Sequence, residues 1–79
     1  MFQVNVMVDV QRTGGHIEQA IAEDLIETAE QLGAEVTSYR NGVKAIFPSR
    51  SEARHFHTWV THDPEIKRRL AGTSYDFNS

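Results

Sequence analysis

The stretch TGGHIEQAIAEDLIETAEQLG, residues 13–33, decides the fold. Within it Ile17, Ala20, Ile21, Leu25, Thr28, Ala29 and Leu32 recur at the three- and four-residue spacing of one helix face. Gly33 follows the last of them, where a left-handed cap is expected. The spacing predicts a helix from about Gly15 to Leu32, with Gln11 to Gly15 as the connection before it. The opposite face carries Glu18, Glu23, Asp24, Glu27 and Glu30, and no Lys or Arg occurs between Thr13 and Tyr39. The like-charged neighbours Glu23/Glu27 and Glu27/Glu30 each cost about 0.2–0.5 kcal/mol in an isolated helix. Tertiary packing must therefore hold this helix in place.

The rest of the chain supplies that packing. Phe2 to Val10 alternates, with Phe2, Val4, Val6, Val8 and Val10 on one face and Gln3, Asn5, Met7 and Asp9 on the other, which predicts a half-buried strand. After the helix, Ala34 to Arg40 and Val43 to Phe47 flank Asn41-Gly42, a pair that favours a two-residue type I′ turn. That loop would set Arg40 opposite Val43 and Val36 opposite Phe47. It sends Val36, Ser38, Val43, Ala45 and Phe47 to the core, and Thr37, Tyr39, Lys44 and Ile46 to the open face. Pro48 ends the hairpin. Ser49 and Glu52 form a capping box for a second helix from about Arg50 to Thr61. Ala53, Phe56, Trp59 and Val60 lie on its buried side, and Arg50, Arg54, His55 and Thr58 point outward. Asp63-Pro64 caps a short helix from Pro64 to Ala71, with Ile66 and Leu70 inward and Gly72 closing it.

The expected class is α+β, in the order β-α-β-β-α-α. A right-handed crossover that leaves room for the third strand gives a small three-stranded antiparallel sheet, order 1-3-2, with helices on one face. This is a ferredoxin-like analogue. Residues 1–72 make a single domain, and 73–79 make a tail, either frayed or a short edge strand using Tyr75 and Phe77.

A 79-residue chain without cysteine has no disulfide to support its small core. The formal net charge of −3 divides unevenly. Residues 1–38 carry seven acids against Arg12 alone, and residues 39–79 carry seven bases against four acids. No segment approaches the length of a membrane span, and the alternating N-terminus lacks the pattern of a signal peptide, so a cytoplasmic location and no membrane partner are expected.

Enzyme chemistry finds little support. His55 and His57 point different ways on a helix, and neither they nor His16 and His62 have metal-ligand spacing. There is no cysteine nucleophile and no Gly-x-Ser-x-Gly elbow. Gly14-Gly15 lacks a phosphate-loop pattern, and the acidic pairs Glu23/Asp24 and Asp24/Glu27 carry no sign of a pocket. No cofactor or metal is implied.

Binding is the better expectation. The acidic ridge Glu18, Glu23, Asp24, Glu27 and Glu30 suits docking on a basic protein surface. The helix from Ile17 to Leu32 spans roughly 24 Å, over which duplex DNA carries about 14 charges against its five acids, so full DNA mimicry fits poorly. The leading expectation is a non-enzymatic inhibitor or adaptor acting on a basic, nucleic-acid-handling partner. Small inhibitors of the kind viruses use share this size. The alternative is a protein that binds single-stranded RNA or DNA with Tyr39, Arg40 and Lys44 on the open sheet face and Lys67, Arg68 and Arg69 beyond it. The mixed patch Met7, Tyr39 and Ile46 also suggests a homodimer face.

Overall fold

The computed structural model describes residues 2–10 and 17–76. Its elements are β1 (Phe2–Val8), α1 (Gln19–Gln31), β2 (Glu35–Tyr39), β3 (Gly42–Phe47), α2 (Arg50–His62), α3 (Pro64–Arg69) and β4 (Leu70–Asp76). They form an α+β unit around one four-stranded antiparallel sheet, ordered β2-β3-β1-β4. The expected count of three strands is therefore corrected, while the order 1-3-2 holds among β1, β3 and β2. A fourth strand pairs along the other side of β1.

The physical reason lies in β1. Val4, Val6 and Val8 are buried, and a strand so placed cannot leave one row of amides and carbonyls bare. β4 satisfies that row, with Gln3 opposite Asp76 and Met7 opposite Gly72. The register shifts between Met7 and Val8, and Val8 then faces Leu70, so Ala71 is the extra residue of a bulge. The short helix predicted to reach Ala71 accordingly ends at Arg69, and Leu70 has extended dihedrals, φ −72° and ψ 121°. Gly72 lies within the strand and does not cap the helix.

The first helix is also shorter than expected. It begins at Gln19, because Ile17 donates its amide to the Arg40 carbonyl at 2.9 Å and Glu18 is extended. Thr13, Gly14, Gly15 and His16 lie outside the described residues. At the other end Gly33 has φ 85°, and its N–H donates to Glu30 while that of Ala34 donates to Ala29. This is a Schellman cap. Ile21, Leu25 and Ala29 are buried, whereas Ala20, expected on the inner face, is exposed.

The hairpin turns one residue earlier than Asn41-Gly42 predicts. Tyr39 faces Gly42, Ser38 faces Val43 and Val36 faces Ala45, so Arg40-Asn41 is the loop. No non-glycine residue among those described has positive φ, so the type I′ turn is not formed. Gly42 is needed elsewhere. A Cβ there would lie 1.8 Å from the Val6 carbonyl oxygen, so only glycine lets β3 pass that close to β1. The pairing slips by two residues, which keeps the alternation, but on the edge strand Ser38, expected in the core, is exposed and Val36 is only half-buried.

The second helix follows its signals closely. Ser49 accepts a hydrogen bond from the Glu52 amide, and Ala53, Phe56 and Val60 are buried. Phe56 packs between Phe47 and Trp59, with ring centroids 5.2 and 5.9 Å away. Asp63 caps α3 through the Ile66 amide at 3.1 Å, and Ile66 completes the core.

Gly42→Ala should lower stability by about 2–3 kcal/mol in urea unfolding, since backbone must move to admit the methyl. An unchanged midpoint would contradict the close approach.

Candidate functional site

Three surfaces surround this core: the outer face of α1, the open face of the sheet, and the outer face of α2 with β4.

On α1, Glu23, Asp24, Glu27 and Glu30 are exposed. Taking Leu25 as the buried centre, the 100° step per residue places Glu23, Glu27 and Glu30 on the side farthest from the sheet. Two of them accept from side-chain amides: Gln19 Nε2 donates to Glu23 at 3.0 Å, and Gln31 Nε2 donates to Glu27 at 3.3 Å. Among the described residues none of the four acids has a salt-bridge partner. Glu27 and Glu30 also stand in the C-terminal half of the helix, where its dipole disfavours negative charge.

Glu18 does not belong with them. It is the N-cap residue of α1, its side chain makes no cap bond, and its carboxylate accepts from Arg69 Nε at 2.9 Å. That hydrogen bond, together with Glu65, raises the Arg69 pKa above its already high ordinary value. Arg69 also donates to Glu65 at 3.1 Å, and Arg68 pairs with Glu65 as well. The expected basic cluster of Lys67, Arg68 and Arg69 is thus largely neutralised by its own acids. Arg69 ties α3 to the start of α1, a contact across 51 positions that no local pattern signals.

The open face follows from the ladder register. One row across the sheet reads Tyr39, Gly42, Met7, Gly72, and the next reads Thr37, Lys44, Asn5, Ser74. Glu35, Ile46 and Gln3 stand in the third. Met7 and Tyr39, 43% and 50% exposed, flank a shallow cavity of about 250 Å³ over Gly42. Ile46 lies two rows away, so the three residues of the expected dimer face do not form one patch. Lys44 is the face's only described base. Its neighbour Asn5 donates to Ser74 Oγ at 3.3 Å, and the single described aromatic, Tyr39, sits on the edge strand. Arg40 is exposed in the turn, with its carbonyl held by Ile17. Lys67 to Arg69 lie where α1 begins, the end of the molecule at which the Arg40 carbonyl also holds Ile17, whereas Lys44 stands one row further along the sheet.

Of the third surface, the sequence shows Arg50 and Arg54 as a basic pair but not their companions from β4. Arg50, Arg54 and His57 stand at i, i+4 and i+7 on α2, and this spacing was the available signal. Their companions Thr73 and Tyr75 come from β4. The remaining described histidines are accounted for simply: His55 is exposed, and His62 Nδ1 donates to the Thr58 carbonyl at 2.8 Å, closing the helix end. No group of three or more potential ligands among the described residues is arranged to hold a metal ion. No described helix is long and apolar enough to cross a membrane. Comparison with protein families, with characterised proteins and with solved structures finds no match.

Arg69→Ala should lower the melting temperature, while Lys67→Ala, whose side chain has no partner among the described residues, should leave it unchanged. Equal effects in thermal melts would contradict the structural assignment of Arg69.

Proposed function

We propose that the chain is a non-enzymatic protein-binding module that docks the outer face of α1 on a basic surface of a partner protein. An inhibitor or adaptor of a nucleic-acid-handling partner is the kind of role that suits such a ridge. One observation carries the reading: Glu23, Asp24, Glu27 and Glu30 form an exposed strip that makes no ion pair among the described residues, with Glu27 and Glu30 in the C-terminal half, where the helix dipole disfavours negative charge. Such a strip costs stability within the chain, and a cationic partner would both relieve that cost and be steered toward it.

Nucleic acid is the less favoured ligand for the sheet face. Its central positions hold Asn5 and Lys44 rather than stacking aromatics, and Arg68 and Arg69 are already engaged.

Glu27→Lys separates function from folding. The new ammonium would attract Glu23 and Glu30, which the native carboxylate repels, and would place a base in the C-terminal half of the helix. The substitution should stabilise the chain by about 1 kcal/mol, which raises the melting temperature by about 5 °C in a domain of this size. In the same variant, association with a partner captured by the wild type should slow about tenfold, and its salt dependence should flatten. Wild-type binding kinetics in this variant would remove the ridge from the account.

A further inference from the structure

A cavity of about 410 Å³ opens where α2 meets β4, lined by Arg50, Arg54, His57, Thr58 and Tyr75. Among the described residues that line it there is no carboxylate. Arg50, Arg54 and His57 share one face of α2 through their spacing, and Arg50 opens the helix, where the dipole adds positive potential. His57 is held in place from β4. Thr73 Oγ1 lies 3.4 Å from its Nε2, and the Tyr75 ring meets it edge-on, with centroids 4.8 Å apart at 69°. Tyr75 is nonetheless 59% exposed, the most exposed large side chain among the described hydrophobic residues.

We infer that this cleft binds a nucleotide, with Arg54 taking the phosphate beside the positive charge of Arg50 and Tyr75 stacking on the base. The guanidinium fork matches phosphate oxygens and forms charge-assisted hydrogen bonds stronger than neutral ones. Arg54 is exposed and has no salt bridge among the described residues, so binding need not break one. Thr58 adds a neutral donor, and an exposed tyrosine ring accepts any base through its π face. The volume falls within the usual range for small-ligand sites. The net charge of −3 does not oppose this. Packed helices lie about 8–10 Å apart, so the outward acids of α1 stand beyond the Debye length of about 8 Å at physiological salt. The site is separate from the ridge of α1 and stands or falls independently of it.

The test is a titration of the isotopically labelled protein with AMP, inorganic phosphate and adenosine, followed by amide NMR. AMP at up to about 10 mM should shift the resonances of Arg50 to Thr58 and of Thr73 to Tyr75, and should bind more tightly than phosphate or adenosine alone. Arg54→Ala should weaken AMP about tenfold. Tyr75→Ala should reduce AMP affinity to that of phosphate. Both side chains are exposed, and retained amide dispersion shows that each variant is folded. A short single-stranded oligonucleotide that displaces AMP supports a site for strands, and failure to displace it supports a site for free mononucleotides. The inference is overturned if AMP shifts none of these resonances, if Arg54→Ala binds AMP as the wild type does, or if phosphate alone binds as tightly as AMP.

Discussion

Everything in this fold depends on β1 being paired along both edges. Its inward residues Val4, Val6 and Val8 are buried beneath the helix layer, and its backbone is satisfied by β3 on one side and β4 on the other. A chain of 79 residues without a disulfide has few ways to gather enough apolar surface, and a central strand covered on one face is an economical one. Once β1 is central, the crossover places α1 over β2 and β3, while α2 lies mainly over β1. The outward faces of the two helices follow from which residues must face inward.

The parts legible in the sequence are those with strong local signals. The alternation of Phe2 to Val8, the Ser49–Glu52 box, the inward set Ala53, Phe56 and Val60, and Gly33 as a left-handed cap needed no long-range information. The misreadings share one cause, a local preference overruled by a distant contact. Asn41-Gly42 is a favourable turn pair, but Gly42 is taken by the close passage of Val6. Ile66 and Leu70 keep helical spacing, yet Leu70 is drawn into a strand because the free edge of β1 needs a partner.

The same division holds for the candidate sites. The acids of α1 were visible as a run on one helix face, and four of the five remain exposed. The loss of Glu18 to Arg69, and of Arg68 to Glu65, rests on where α3 lands beside α1. The cleft of Arg50, Arg54, His57 and Tyr75 needed β4, which the sequence left open between a tail and a strand. Within the folded chain Arg68 and Arg69 go to internal ion pairs, and Arg50 and Arg54 stand on the α2 face. The acids farthest from the sheet on α1 have only glutamine amides as described partners.

The imbalance of the α1 ridge is a property of the wild-type chain alone. The direct measurement is its melting temperature in about 20 mM and about 200 mM NaCl, a range across which the Debye length shrinks from above 20 Å to about 7 Å. If the ridge is unbalanced within the chain, screening relieves its repulsion and the melting temperature rises with salt. A melting temperature that falls with salt would mean that attractive pairs dominate and the acids are already neutralised by the chain's own bases.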